Sequence, residues 1–568
     1  MRSVTCPVGD GDSSFCDVAP ANHAEEMVNV YCSRLRGEME LEVVEAWRCF
    51  AKHMQDSKCN HVVTCAGGDF AQVMKKAITT VLKDRYQIEF KDDFVAHCEK
   101  NDKKQAFIIE QHDVSFMINN QREMTEPSCV NLMTNEVELI PHMHSLTTGV
   151  VCISRTPMSK NRAVNKGCVK RGDEATGECF KQVEDIVHAH WPLQLKLECV
   201  KELAEKSEKM PGVEDGTCNV SDAEFMVQKL EEVNYWAVVV KMDALEFGSP
   251  VPRIRLWWAA LLNISRDQRV STFFNRVLNA LKLHHADQGI EKTFVPITKC
   301  IIVDDGTRLR VGNDIGVESL HETGLRVPKA VKVDYKWKGQ HSVIFPKYGL
   351  RWPQDHTSTG AVRIDGMLAR EVELACFRHA VFEMPGEVEH EFLDINTDME
   401  RLLSACIDMH EDDVANVKKS PWRKQPPTLV GSSKVVVRYR SRCDVDSLPG
   451  DPCDVVVRAL DGVEYMRLVG WCVKCWARPG RPANGASSSS SATQDLRKLE
   501  PHEIHDRVEL VANLSGNSFS LYHFAPFELA LMATYGRFLE FEGPPPAQAD
   551  AKSVPGASTD DDASSVSS

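Results

Sequence analysis

The alternation of strands and helices begins at residues 61–70, which read His61-Val62-Val63-Thr64-Cys65-Ala66-Gly67-Gly68-Asp69-Phe70. The short apolar run predicts a strand, the two glycines predict a tight turn, and the amphipathic residues 70–82 predict a helix. A glycine-rich turn between a strand and a helix lets a nucleotide-like ligand approach the backbone and the helix N-terminus. We therefore expect a ligand at this turn, although many tight turns that bind nothing have similar residues.

The same alternation continues along the chain and indicates an α/β fold. The apolar runs predict strands at residues 94–98, 144–151, 195–197 and 235–241, and a strand or short helix at 255–262. The amphipathic stretches predict helices at residues 103–110, 180–189, 220–232 and 524–535. Strands that alternate with helices form a parallel sheet with crossover helices.

Composition is that of a soluble globular protein. The chain has 568 residues, of which 43% are hydrophobic and 26% charged, enough for several domains with a large core. No apolar run approaches the roughly 18 residues of a membrane span, and the first residues lack the apolar block of a secretory signal. We therefore expect an intracellular protein without membrane contact. The net charge of −15 excludes a wholly basic surface but permits a local basic cleft.

The cysteines do not form a regular framework. The 20 cysteines are irregularly spaced, which is typical of free thiols in a reducing compartment. Cys472 and Cys475 form one Cys-x-x-Cys pair without a second pair at zinc-finger spacing, and His142 and His144 are an equally weak ligand pair. We therefore expect no metal site.

Four further stretches carry side chains that are typical of catalytic sites. Cys152 ends an apolar run, Glu198 stands in Leu197-Glu198-Cys199-Val200, and Gly516-Asn517 forms a late turn. Arg253 and Arg255 follow a Gly-x-Pro sequence, and two residues that are two apart on a strand point to the same face. A thiol, a carboxylate, two arginines and a Gly-Asn turn thus follow one another in this order.

This order resembles the cytosine-5 methyltransferases, whose blocks read Pro-Cys-Gln, Glu-Asn-Val, Gln-x-Arg-x-Arg and Gly-Asn. The resemblance spans about residues 60 to 535. It implies a Rossmann-like S-adenosylmethionine-dependent methyltransferase sheet with a large inserted target-recognition domain. It also implies the activity of a DNA cytosine-5 methyltransferase, which flips the target base out of the helix.

The resemblance assigns catalytic roles to four residues. Cys152 matches the thiol that adds to C6 of cytosine and makes C5 nucleophilic. Glu198 matches the carboxyl group that holds the N3 edge of the ring and shares a proton with it. Arg255 matches the arginine that reaches O2, and Arg253 the one that supports the pocket and phosphate.

The resemblance also implies an S-adenosylmethionine site at the ends of the early strands. The turn residues Cys65, Ala66, Gly67 and Gly68 would surround the cofactor. Glu99, at the tip of the second strand, would hold the ribose hydroxyls. Asp113 is the candidate for the adenine contact, and Asn517 and Ser518 would complete the pocket from the late turn.

The sequence departs from the family pattern at several positions. Val151 and Ile153 flank Cys152 where the family has Pro and Gln, and Cys199 replaces the Asn after the glutamate. Val251 replaces a Gln, and Asp69 stands at the last Gly of the family's Phe-x-Gly-x-Gly block. These departures leave open a catalytically inactive relative that binds nucleic acid.

Two other activities are alternatives to a DNA methyltransferase. A tRNA cytosine-5 methyltransferase would use the same chemistry, but the recognition region here is large, which favours DNA over RNA. An unrelated Rossmann-type oxidoreductase would need a Gly-x-Gly-x-x-Gly turn, which residues 65–70 lack.

The organisation predicted from these patterns has five parts. They are an N-terminal extension at 1–58, a catalytic core at 59–264, a target-recognition insert at 265–460, a C-terminal part of the core at 461–542 and a disordered tail at 543–568. The insert contains basic-aromatic stretches that suit nucleic acid, and residues 478–494 form a flexible Ser-rich loop. We expect DNA as the partner, the nucleus or another DNA-containing compartment as the location, and a monomer, although the sequence does not define the oligomeric state.

Overall fold

A computed structural model describes the core of the chain and short stretches of its later part. The described residues are 22–55, 58–65, 67–152, 154–155, 164–206, 220–283, 331–333, 362–364, 390–394, 426–429, 435–440, 455–460, 465, 468–469, 514, 516 and 519–539. The helices are α1 Asn22–Arg34, α2 Glu38–His53, α3 Phe70–Tyr86, α4 Asp102–Gln111, α5 Cys168–Arg171, α6 Glu174–His190, α7 Asp222–Glu232, α8 Gln268–Ala280 and α9 Leu521–Phe538. The strands are β1 Cys59–Thr64, β2 Asp92–Cys98, β3 Met117–Ile118, β4 Ser128–Asn131, β5 Glu136–Leu139, β6 Ser145–Gly149, β7 Gln194–Val200, β8 Tyr235–Asp243, β9 Ile254–Leu262, β10 Val331–Val333, β11 Val362–Ile364, β12 His390–Asp394, β13 Val435–Arg440 and β14 Val455–Ala459.

The central sheet has the order β3-β2-β1-β6-β7-β9-β8. Strands β3, β2, β1, β6 and β7 run parallel, whereas β9 lies antiparallel between β7 and β8. The chain moves outward from β1 to β3 and then returns to the other side of β1 with β6. The expected α/β fold with a mostly parallel sheet is confirmed, and its strand order reverses between β1 and β6, where α/β proteins bind ligands.

Helices cover both faces of the sheet. Adjacent residues of one strand point to opposite faces, so Val62 packs into one core and Val63 into the other. The core that contains Val63 is covered by α1, α2, α3, α4, α8 and α9, and the core that contains Val62 by α5, α6 and α7. This two-sided cover explains why the strands read as continuous apolar runs.

Helix α9 is buried along almost its whole length. Every residue from Leu521 to Gly536 is buried, which is the pattern of a helix enclosed on all sides. A Cβ atom at Gly536 would collide with the backbone carbonyl of Ala46 in α2, so only glycine permits this close approach. The indole of Trp47 donates a hydrogen bond to the carbonyl of Leu529 at 3.0 Å. Helix α9 is therefore part of the core.

A buried carboxylate ties α9 to the sheet and to α3. Glu528 accepts from Lys75 of α3 at 2.5 Å and from Lys196 of β7 at 2.7 Å, and all three side chains are at most 1% exposed. Burial alone would raise the pKa of Glu528, but Lys196 and Lys75 hold that pKa well below its usual range. Asp92 lies 3.9 Å from Lys75 and pairs with His61 at 2.6 Å, so the charges form a continuous network.

Elements outside the predicted core also pack on it. Tyr31 of α1 donates a hydrogen bond to the carbonyl of Phe247 at 2.8 Å, although α1 falls within the predicted extension. Helix α8 falls within the predicted insert, and its Phe274 contacts Phe527 of α9 with ring centroids 5.7 Å apart. The domain boundaries stay predictions, and the loop at 478–494 and the tail at 543–568 lie outside the described residues. None of the described helices has the length and apolar character needed to span a membrane.

Replacement of Glu528 by Gln should destabilise the protein by about 3–5 kcal/mol, because Lys75 and Lys196 would lose their shared buried partner. The free energy of unfolding from urea denaturation measures this. The control is Glu45→Gln in α2, whose side chain is 66% exposed and which should change that energy by less than about 0.5 kcal/mol. Equal effects of the two substitutions would contradict the network.

Candidate active site

The candidate site lies at the carboxyl ends of β1, β6 and β7, beside the point where the strand order reverses. Thr64 at the end of β1 donates a hydrogen bond to Thr148 of β6 at 2.6 Å. Gly149 follows, and a Cβ atom there would lie 3.6 Å from the carbonyl of Cys65 and 3.7 Å from the Phe519 ring. The glycine-rich turn, the end of β6 and the residues before α9 therefore meet at one edge of the sheet.

The turn after β1 is held by two histidines. Cys65, Gly67 and Asp69 have φ values of 51°, 60° and 50°, in the left-handed region that Asp tolerates better than most residues. Asp69 pairs with His97 of β2 at 2.7 Å, with both side chains fully buried. His112 hydrogen-bonds to the carbonyl of Gly68 at 3.1 Å. Burial would raise the pKa of Asp69, but His97 lowers it below its usual value. The Asp that replaces the family's Gly thus has a partner.

Glu99 lies at the tip of β2 and contacts the turn directly. Its carboxylate accepts from the backbone N–H of Gly67 at 3.1 Å and from that of Asn101 at 3.1 Å. Each oxygen of a carboxylate can accept two hydrogen bonds, so both oxygens retain capacity for ligand hydroxyls. Glu99 is therefore positioned to hold a diol beside the turn.

Asp113 does not lie at the edge of the sheet where the other described residues of the predicted cofactor site meet. Asp113 is exposed and precedes β3, whereas the chain leaves the carboxyl end of β3 through Asn119 and Asn120. The edge position expected for the adenine contact is thus occupied by Asn119, whose side-chain oxygen accepts from Gln105 at 3.1 Å. Ala66, Asn517 and Ser518 lie outside the described residues.

The structure brings Cys152, Glu198 and Arg255 together. Cys152 follows β6, and Gly149 of β6 pairs in register with Glu198 of β7. In the β7–β9 register Glu198 pairs with Trp257, so Arg255, two residues away, is its diagonal neighbour on the same face. Arg255 Nε lies 2.9 Å from Glu198 Oε1, and both side chains are 11–13% exposed. A thiol, a carboxylate and a guanidinium thus come from separate parts of the chain to one place.

Arg253 is a buried neighbour of this cluster. Its guanidinium donates to the carbonyl of Leu429 at 3.3 Å and to that of Gly516 at 3.1 Å, and the residue is 4% exposed. Burial and the neighbouring Arg255 lower the pKa of Arg253 to about 9, so it remains charged at neutral pH. Arg253 therefore joins β9 to the backbone at Gly516 by a charged hydrogen bond.

The resting cluster favours the protonated thiol at Cys152. Burial raises the pKa of Cys152, and the Glu198 carboxylate raises it further, whereas Arg255 and Arg253 lower it. Since the thiolate is the nucleophile, the two arginines act toward reactivity and the carboxylate acts against it. The pKa of Cys152 thus depends on the balance between the charges of Arg255, Arg253 and Glu198.

Two departures from the family pattern have local partners. The N–H of Val151 donates to Cys179 Sγ at 3.4 Å, a bond that proline at this position could not make. The thiol of Cys199 donates to the carbonyl of Val150 at 3.3 Å. Both contacts hold the segment that leads to Cys152. Ile153 lies outside the described residues.

Two further residues belong to the site and were missed in the sequence. The backbone N–H of Arg155 donates to the carbonyl of Cys152 at 2.9 Å, and its buried guanidinium donates to the carbonyl of Glu202 at 2.7 Å. His523 of α9 is buried near Arg253 and Arg255, and burial with these charges lowers its pKa well below the usual value. The sequence offered one signal, because Arg155 follows Cys152 by three residues, whereas the position of His523 is set by tertiary packing.

The residues at the turn fit S-adenosylmethionine. Glu99 offers an acceptor carboxylate at the tip of β2, and the close approach of Gly149 to Cys65 leaves backbone rather than side chain facing the turn. Gly67, Gly68 and Glu99 would hold the ribose and methionine parts of such a ligand. The ligand would then lie one strand away from Cys152.

Comparisons with known proteins give likenesses at low identity. The chain matches no protein-family model and no curated protein. Among solved structures it is similar to the Dnmt2 methyltransferase of S. pombe, with 9% identity, a TM-score of 0.35, and coverage of 84% of this chain and 98% of that chain. It is also similar to the methyltransferase EhMeth of Entamoeba histolytica, with 11% identity, a TM-score of 0.36, and coverage of 84% and 98%. Likenesses at these values carry no functional argument.

The pH dependence of Cys152 alkylation should move in opposite directions in two variants. Glu198→Gln removes a negative charge beside the thiol, so its pKa should fall and alkylation by iodoacetamide should begin at lower pH. Arg255→Gln removes a positive charge, so alkylation should require higher pH. Mass spectrometry of the Cys152 peptide measures the rates, and Arg269→Gln, at an arginine with an 83% exposed side chain, is the control. A shift in the same direction in both variants would contradict the arrangement.

Proposed function

We propose that this protein is an S-adenosylmethionine-dependent cytosine-5 methyltransferase that acts on DNA. The convergence of Cys152, Glu198 and Arg255 at the carboxyl edge of the sheet is the observation that carries the proposal. A nucleophile that attacks C6 and a carboxyl group that holds N3 of the same ring must lie about one ring apart. Glu198, Arg255 and Arg253 lie close enough to Cys152 for their charges to act on the pKa of its thiol.

In this proposal Cys152 adds as a thiolate to C6 of a cytosine, which raises the electron density at C5. Glu198 shares a proton with N3, so that negative charge can be accommodated on the ring. Arg255 keeps the carboxylate oriented before the base enters and then reaches O2. S-adenosylmethionine, when bound at the turn, supplies the methyl group as an electrophile. Loss of the C5 proton and elimination of the Cys152 thiolate then release the product.

The partner proposed is duplex DNA, with the target base flipped into the site. The protein would act in the nucleus or another compartment that contains DNA. The tRNA alternative uses the same residues, so substrate assays rather than the site geometry separate the two.

Replacement of Glu99 by Ala should weaken S-adenosylmethionine binding by about tenfold or more, because two ribose hydrogen bonds would be lost. Isothermal titration calorimetry measures the dissociation constant. The exposed Glu136 of β5, replaced by Ala, is the control and should leave binding unchanged. Thermal unfolding of both variants shows whether the turn itself has been disturbed, and unchanged affinity in a folded Glu99→Ala protein would remove Glu99 from the site.

Cys152→Ser should abolish methyl transfer while leaving cofactor binding intact. Transfer of labelled methyl groups to duplex DNA and to a tRNA transcript, measured side by side, identifies the substrate. A 5-fluorocytosine oligonucleotide should become covalently bound to Cys152, because fluorine cannot leave C5 as the proton does. Cys49→Ser, at a similarly half-buried cysteine of α2, should keep full activity. An adduct on another cysteine would refute the assignment, and cofactor binding without transfer to either substrate would favour an inactive relative.

A further inference from the structure

A pair of thiols lies close to Cys152. Cys65 of the turn and Cys179 of α6 each donate to the side-chain oxygen of Gln121, at 3.7 Å in both cases. The two thiols also hydrogen-bond to each other. Their sulfur atoms therefore share one acceptor, although the residues are far apart in the sequence.

Cys179 also accepts a hydrogen bond from the segment that contains Cys152. The Val151 N–H donates to its sulfur at 3.4 Å, and Val151 directly precedes Cys152. A proline there would leave the sulfur without this donor, so the presence of Val151 and the position of Cys179 belong together. The thiol pair thus connects the turn after β1 with the segment after β6.

The two thiols differ in proton affinity. The hydrogen bond to Cys179 and burial raise the pKa of Cys65, whereas the bond from Cys65 lowers the pKa of Cys179 despite burial. Of the two, Cys179 is thus the thiol that loses its proton more readily. A thiol that ionises more readily than its neighbour favours disulfide formation, because the thiolate is the form that reacts with an oxidant or an oxidised sulfur.

We propose that Cys65 and Cys179 form an oxidisable dithiol, a modification site that a peroxide converts to an intramolecular disulfide. The peroxide first oxidises one thiol to a sulfenic acid and is itself reduced to water. The second thiol then attacks that sulfur, which forms the S–S bond and releases a second water molecule. The net reaction consumes two thiols and one peroxide and yields one disulfide and two waters.

The disulfide would act on the turn. An S–S bond of about 2 Å would draw the sulfur of Cys65 toward Cys179 of α6. Neither sulfur would then carry a proton to donate to Gln121. Cys65 adopts a left-handed backbone conformation with Gly67 and Asp69 nearby, so its displacement changes the turn where a ligand would bind. This consequence rests on the proposed function, whereas formation of the disulfide does not.

Peptide mapping of the full-length protein tests the site directly. After treatment with hydrogen peroxide and trypsin digestion without reductant, residues 59–75 should be linked to residues 172–181, because cleavage follows Lys58, Lys75, Arg171 and Lys181. Residues 172–181 contain Cys179 as their single cysteine, and a Cys59→Ser variant separates Cys65 from Cys59 in the other peptide. Cys98→Ser should retain the link, and Cys179→Ser should abolish it. A link that joins other cysteines, or none in the wild-type protein, would overturn the proposal.

Calorimetry then tests the effect on the turn. The oxidised protein should bind S-adenosylmethionine about tenfold more weakly than the reduced protein, with recovery after dithiothreitol. A mapped disulfide with unchanged affinity would overturn the coupling to the turn. Absence of binding in the reduced protein would count against the proposed function instead, because the peptide map does not depend on it.

Discussion

A single buried carboxylate sets the position of helix α9, and the site depends on that position. Glu528 shares its charge between Lys75 and Lys196, which belong to the helix after the ligand turn and to the strand of Glu198. An ammonium group buried without a partner costs several kcal/mol, so the chain is stable only where these contacts form together. Helix α9 therefore docks in one register, which brings Phe519 beside Gly149 at the carboxyl edge.

The same docking covers the face of the sheet that carries Glu198. Lys196 and Glu198 are two residues apart on β7, so they point to one face, and that face is the one against which α9 packs. Near the start of α9, Gly516 accepts from Arg253 and His523 lies close to Arg255. Helix α9 thus encloses the charges of the site. The low-dielectric surroundings strengthen every interaction among these charges.

Local patterns in the sequence predicted most of the sheet, because buried parallel strands read as short apolar runs and crossover helices as amphipathic ones. The order of Cys152, Glu198 and Arg255 predicted which residues meet. Strand β3 has two residues, too few to produce a pattern, so the sequence predicts the adenine contact at Asp113, which lies before the strand. Pairings between distant residues, such as Lys75 with Glu528, follow from packing that no local pattern contains.

The departures from the family pattern occur together with partners that use them. Asp69 stands where the family has Gly and pairs with His97, while Val151 stands where it has Pro and donates to Cys179. Around Cys152 two arginines face one carboxylate, so the cluster carries one excess positive charge while the thiol is protonated. Ionisation of the thiol neutralises that excess. Under the proposed function, a base whose N3 edge shares a proton with Glu198 would reduce the negative charge beside the thiol, so substrate binding itself would lower the pKa of Cys152 and favour the thiolate.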